Sequence, residues 1–243
     1  MKDIIDKLRD DEEYYRGVGK NYLSNSDISS LLGNKNMFKK DKEDNKNFLV
    51  GRLFHQLLLE PEKAKDITFV DCKSRNTKMY KEFLIDNELD MAMLKDEYDN
   101  TMNLASHMKK NINIFNEIYA DGNQFEVPMV AEVNGHMWKG KADIVTNTKL
   151  IDLKTTSNIR DFRWSAKKYN YDSQCYIYQE LFGKPLEFIV IDKTTMEMGV
   201  FEPSSDFLLS GERKVDDAID VYNRFFSKDA TESVDDFIMY DIL

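Results

Sequence analysis

Three residues in one stretch have the types and spacing for phosphoryl chemistry. Asp152 and Lys154 stand two apart in an apolar run, Ile151-Asp-Leu-Lys154, and a second acid, Asp143, precedes them. If that run is a strand, its alternation puts Asp152 and Lys154 on one face and Ile151 and Leu153 on the other. Two carboxylates on neighbouring strands can hold Mg²⁺ or Mn²⁺ through oxygen. A bound cation lowers the pKa of its water and neutralises charge building on a phosphate. A lysine beside it can orient or deprotonate the attacking water, or stabilise the phosphorane.

An acid two residues before a lysine is common by chance. The chain has four such pairs: Asp44/Lys46, Asp71/Lys73, Asp152/Lys154 and Glu212/Lys214. Only Asp152/Lys154 lies in an apolar strand with another acid one hairpin upstream; the others read as solvated surface pairs.

The elements around this stretch follow from periodicity. Gln124 to Val133 alternates, Asn134-Gly135 is a two-residue hairpin signal, and His136 to Val145 returns as a second strand. Thr146-Asn147-Thr148 makes a tight connection into a third strand, Lys149 to Lys154, which brings Asp143 close to Asp152. Phe48 to Glu60 has helical spacing and stops at Pro61; Asp172 to Phe182 reads as a helix ended by Gly183. Tyr22 to Gly33 reads as a short capped helix, 35–47 as an exposed loop, and 77–120 as helical almost throughout, with Met79, Phe83, Leu89, Met93, Leu94, Met102, Leu104, Ile112, Phe115 and Ile118 as buried stripes. Leu186–Asp192 and Met196–Glu202 form another hairpin, and a helix starts near Asp206. The expected organisation is one α/β domain over 1–243, with a mainly helical part (1–120), a sheet-containing core (121–226) and a tail (227–243).

Two helical pairs add polar groups. Gly51 and His55, and Gln174 and Tyr178, are each four apart and share a helix face. Each pair alone is commonly structural.

The order G-x-x-x-H, acid, D-x-K, Q-x-x-x-Y resembles the RecB-type branch of the PD-(D/E)xK nuclease superfamily. Ile151 to Ser157 (IDLKTTS) and Tyr169 to Gln174 (YNYDSQ) are especially similar to RecE-like phage exonucleases (exodeoxyribonuclease VIII). The resemblance spans roughly residues 20–226. It implies a restriction-endonuclease-like core, a central mixed sheet flanked by helices. It implies that Asp143 and Asp152, the Leu153 carbonyl and His55 ligate Mg²⁺, with Mn²⁺ as a substitute. Glu126, with Glu132 as its rival, would be the acid on the preceding strand, and Lys154 would position or activate water. Gln174 and Tyr178 would support the site and contact DNA. The resemblance further implies ATP-independent, 5′→3′ digestion of linear double-stranded DNA in phage-type recombination. Relatives are often homo-oligomeric rings that work with a single-strand annealing protein. A structure-specific endonuclease and an inactive DNA-binding protein on the same fold are the alternatives.

Basic and polar candidates for phosphate contact are Arg52, Arg75, Lys78, Thr155, Thr156, Arg160, Arg163, Lys167 and Lys168. Trp164 could stack on a base, but a core position is the expectation.

Composition narrows the rest. Apolar residues make 42% and charged residues 32%, as in a globular chain, and the net charge of −10 requires any DNA-binding surface to be segregated. Two cysteines, Cys72 and Cys175, cannot build a four-cysteine zinc site or an iron–sulfur cluster. There is no G-x-x-x-x-G-K-[ST], hence no P-loop ATPase, and no apolar run long enough for a bilayer, which leads to the expectation of a cytoplasmic protein.

Overall fold

The N-terminal half is a succession of helices whose ends are written in the sequence. In a computed structural model, residues 2–40 and 44–238 are described. Helices α1 (Lys2–Lys7) and α2 (Asp11–Tyr15) precede α3 (Asn25–Leu32), which opens on a Ser24/Asp27 capping box. The long α4 (Lys46–Leu59) is capped by Asn45, whose side chain accepts the Phe48 N–H, and Pro61 starts the single turn of α5 (Pro61–Ala64). Residues 77–120 are interrupted. Between α6 (Lys78–Asp86) and α7 (Lys95–Lys110), strand β2 (Met93–Leu94) pairs in parallel with β1 (Phe69–Val70); α8 (Ile112–Ile118) follows. Of the expected stripe there, Met93, Leu104 and Ile118 are buried, whereas Met79, Leu89, Met102, Ile112 and Phe115 are exposed. The stretch is broken into short pieces with different inward faces, so one helical period does not carry through it.

The second half builds the sheet. Strands β3 (Gln124–Val133) and β4 (His136–Val145) form the expected hairpin, with Asn134 and Gly135 both at positive φ (50° and 79°). Strand β5 (Leu150–Thr156) leads through a short helix, α9 (Phe162–Lys168), into α10 (Tyr171–Phe182). Strands β6 (Leu186–Asp192) and β7 (Met198–Phe201) follow, then α11 (Ser205–Phe225). The order is β3-β4-β5-β6-β7, with β5 and β6 parallel and the other pairs antiparallel, so the sheet is mixed as expected.

Both faces are covered, which makes a three-layer α/β arrangement. On one face Leu150, Phe188 and Val190 pack with Ile177 of α10, Val215 and Ile219 of α11 and Ile28 of α3. On the other, Ile144, Ile151, Leu153, Ile189 and Ile191 pack with Phe54 and Leu58 of α4, Leu104 and Met108 of α7 and Ile118 of α8. Helices α10 and α11 cross at contact because residue 211 is glycine; a Cβ there would sit 2.1 Å from the Asp172 carbonyl oxygen. The first helices are held more firmly than their charge suggests: Leu8 and Tyr14 are buried against Val130.

Candidate metal and phosphate site

Helix α4 and strands β3, β4 and β5 converge on one set of side chains. The Asp143 Oδ2 accepts the Leu153 N–H at 2.7 Å, a bond that ties β4 to β5 just beyond the Ile144–Ile151 pair. His55 reaches the same point from α4. Its Nδ1 is 3.4 Å from Asp143 Oδ2, and its Nε2 is 2.8 Å from the Leu153 carbonyl oxygen. A side-chain carbon at Gly51 would meet nothing within 4 Å, so packing does not require glycine one turn before His55.

Glu126 completes the cluster through an unusual backbone. Its φ of 49° is left-handed for a non-glycine residue inside a strand. The β3–β4 register runs Phe125↔Ile144 and then Val127↔Ala142, skipping the Glu126–Asp143 pair. The alternation of β4 also breaks there, since Ala142 and Ile144 join clusters on opposite faces of the sheet. Candidate ligand atoms of His55, Glu126 and Asp143 all lie within 4.8 Å of one another. One imidazole and two carboxylates suit a divalent cation, so the residues present fit one. Glu132, the rival acid, is exposed near the hairpin turn.

Asp152 stands outside this trio. The Gln174 Nε2 donates to its Oδ1 at 2.5 Å, and the Lys154 ammonium pairs with its Oδ2. The expected same-face placement of Asp152 and Lys154 is thus an ion pair, with Ile151 and Leu153 in the opposite core. The Tyr171 ring lies 4.8 Å from the Lys154 ammonium. The Tyr178 phenol is turned to the backbone instead: it donates to the Lys141 carbonyl at 3.0 Å and accepts the Lys141 N–H at 3.3 Å. Its ring lies over Gly140, where a Cβ would come within 2.8 Å of it.

Burial and mutual charge set the ionisation of this cluster. Burial works against His55 protonation, but the Asp143 carboxylate overrides it and lifts the imidazole to about 9. Burial raises Asp143, yet His55, Lys154 and the Leu153 N–H together hold it below the usual carboxylate range. Glu126, desolvated and facing Asp143, is pushed up to about 8. Asp152 is raised by burial and by Asp143, against the pull of Lys154. Burial disfavours the Lys154 cation, but Asp152 and its neighbours hold the ammonium far above its ordinary range. That favours orientation or charge stabilisation by Lys154 over proton abstraction. As the side chains stand, His55 Nε2 donates to the Leu153 carbonyl and its Nδ1 lies 3.4 Å from the Asp143 carboxylate, so a cation bound through His55 replaces one of these contacts.

The phosphate-contact candidates fall into separate groups. Thr155 and Thr156 follow Lys154 on β5 and are part-buried. Arg52 is exposed on α4 beside Asp44. Arg160 pairs with Glu197, and Arg163, Lys167 and Lys168 lie exposed on α9, a helix the periodicity did not reveal. Arg75 is a correction: its guanidinium grips the buried Glu97 at 2.6 and 2.8 Å, which makes it a structural clamp. Lys78 pairs with Glu82 on its own helix. Trp164 is also a correction, being 64% exposed and no part of the core. Tyr171 and Lys141 were not singled out by the sequence; Tyr171 lay inside the YNYDSQ stretch, whereas the Lys141 side chain is marked by a long-range pair with Asp11 at 2.7 Å that no local pattern shows.

Residues 29–232 match a family described as a PDDEXK-like domain of unknown function (DUF3799). A solved structure of a candidate exonuclease from Eubacterium rectale has the same fold, with a TM-score of 0.63 over 96% of this chain and 95% of that one, at 19% identity. A second solved structure, SSO0001, gives 0.34 over 72% of this chain and 86% of that one at 20% identity, too low to argue from. No curated protein matches. No described helix is long and apolar enough to cross a membrane.

Proposed function

The chain belongs to the PDDEXK-like family DUF3799, and from that membership and the cluster on β3, β4, β5 and α4 we propose that it is a divalent-cation-dependent DNA nuclease. The observation that carries the reading is the adjacency of two unlike devices. A His55/Glu126/Asp143 trio suits a cation, and a desolvated Asp152–Lys154 pair stands beside it. When bound, a divalent cation supplies an activated water and neutralises charge on the phosphate.

The chain's own residues do the rest. Glu126 and Asp143, with His55, hold the cation; Asp152 and the Leu153 carbonyl join them as the resemblance implies. Gln174 fixes Asp152, and Lys154 presents a permanent positive charge to the phosphate. Tyr178 holds β4 in register through both backbone groups of Lys141, which keeps Asp143 against Leu153. Arg52, Thr155, Thr156, Arg160, Arg163, Lys167 and Lys168 contact the DNA backbone. The chain acts as one nuclease domain, with Mg²⁺ as the working ion and Mn²⁺ as substitute.

The finer reading is a RecE-like exonuclease that digests linear double-stranded DNA 5′→3′ as a homo-oligomeric ring, alongside a single-strand annealing protein. A ring confines the basic surface to its channel, which suits a chain of net charge −10. The exonuclease description of the Eubacterium rectale protein points the same way.

The test is digestion of linear duplex with Mg²⁺, with EDTA and with Lys154→Ala, beside a closed circular control. Loss of linear DNA only with wild type and Mg²⁺ is the expected result. Nicking of the circle makes the protein an endonuclease, and no cleavage with either Mg²⁺ or Mn²⁺ sinks the proposal.

A further inference from the structure

Helix α9 turns Trp164 and its basic side chains outward on a packed mount. Phe162 and Ala166, four apart, are buried, and the Phe162 ring sits 4.7 Å from Phe201 and 5.9 Å from Phe188. With that stripe inward, the pairs Arg163/Lys167 and Trp164/Lys168 point to water. The C-terminal end is fixed by Lys214, whose ammonium donates to the Lys167 carbonyl, Asn170 Oδ1 and the buried Asp172 Oδ1, each at 2.9 Å.

Two large aromatics are left exposed on this mount, Trp164 at 64% and Tyr169 at 58%. Each carries a cation on its ring, Arg163 at 5.0 Å from Trp164 and Lys168 at 5.8 Å from Tyr169. Tyr169 lies 6.1 Å from Tyr171, whose ring is 4.8 Å from the Lys154 ammonium. The ring contact of Tyr171 with the exposed Tyr169 therefore leads from Lys154 to the surface. The charge is local: residues 158–170 carry Arg160, Arg163, Lys167 and Lys168 against Asp161 alone, in a chain of net charge −10.

Rigid exposed rings flanked by cations are the chemistry of single-strand binding, because every base has a stackable face and every nucleotide a phosphate. The phosphates of a duplex need the cations but leave the rings without a partner, since paired bases are stacked on one another. We propose that Trp164 and Tyr169, with Arg163 and Lys168, form a stacking platform for unpaired bases of single-stranded DNA beside the cleavage site. The proposal rests on the nuclease reading above.

The chain has two tryptophans, and Trp138 is fully buried, so a change in tryptophan emission on binding reports Trp164. The full chain is titrated in EDTA with oligo-dT and, separately, with blunt duplex. Oligo-dT is expected to quench the Trp164 share of the emission strongly, and blunt duplex much less, because its phosphates reach the cations while its paired bases do not reach the rings. Trp164→Ala, which leaves the core intact, weakens oligo-dT binding by about 5- to 150-fold, the loss of one stacked base. Trp164→Phe, which keeps a ring, recovers most of it. Unchanged emission at saturating oligo-dT, or equal affinity of wild type and Trp164→Ala, overturns the platform. If Mg²⁺-dependent duplex cleavage survives in that case, only the platform is lost; if neither binding nor cleavage occurs, the nuclease reading falls with it.

Discussion

Glu126→Gln should make the protein more stable and less able to bind a cation. Glu126 is part-buried, faces Asp143 and is held at a φ of 49°. Its carboxyl is pushed from an ordinary 4.5 to about 8, first by burial and then by Asp143. A folded-state pKa above the unfolded one means that stability is fully present below pH 4.5 and is lost as pH rises through 8. At about 1.4 kcal/mol per pKa unit, the whole shift corresponds to about 5 kcal/mol. Partial exposure and local relaxation around Asp143 reduce this to roughly 2 kcal/mol. In EDTA at pH 8.5, Glu126→Gln should therefore unfold about 4–8 °C above wild type. At pH 4.5 the two should coincide. With Mn²⁺ at about 100 times its Kd, wild type should gain about 2.7 kcal/mol at pH 8.5, and the variant much less. Thermal unfolding followed by circular dichroism reads all of these conditions. A variant less stable than wild type at pH 8.5 in EDTA, or a difference that ignores pH, refutes the reasoning that an unfavourable carboxylate is kept here for a cation.

The other predictions concern residues behind the site. Gln174→Ala removes the 2.5 Å bond that orients Asp152. Loss of such a supporting bond should weaken Mn²⁺ binding by about 10- to 100-fold, measured by calorimetry, and lower stability in EDTA by about 1–3 kcal/mol because a buried carboxylate oxygen loses its donor. Tyr178→Phe deletes a buried hydroxyl that bridges the Lys141 N–H and carbonyl. The cost should be about 1–3 kcal/mol of stability by denaturant unfolding. Cleavage well below the melting temperature should stay within about tenfold of wild type, because the phenol is spent on β4; a loss comparable to that of Lys154→Ala would make it catalytic.

Much of the site was legible because its signals are local. Asp152 and Lys154 share a face through period-2 alternation, and Asn134-Gly135 fixes the β3–β4 hairpin. Gly183 ends the helix that carries Gln174, and the apolar spacing of 48–60 marks the helix that carries His55. The ordered set of motifs led to the fold family, which the match over residues 29–232 bears out.

Tertiary structure decided what each polar group touches. His55 meets the Leu153 carbonyl across 98 residues and Lys141 meets Asp11 across 130, and no local period encodes such pairs. The break at Glu126 is invisible in an alternating strand, because only the facing Asp143 and the switch of β4 between clusters give it a cause. Helix α9 escaped because seven residues are too few to show a period, and its inward side is set by Phe188 and Phe201, which come later in the chain. Trp164 looked like core by residue type. Its place in the fold turned it to water, since the two inward positions of so short a helix were already taken by Phe162 and Ala166.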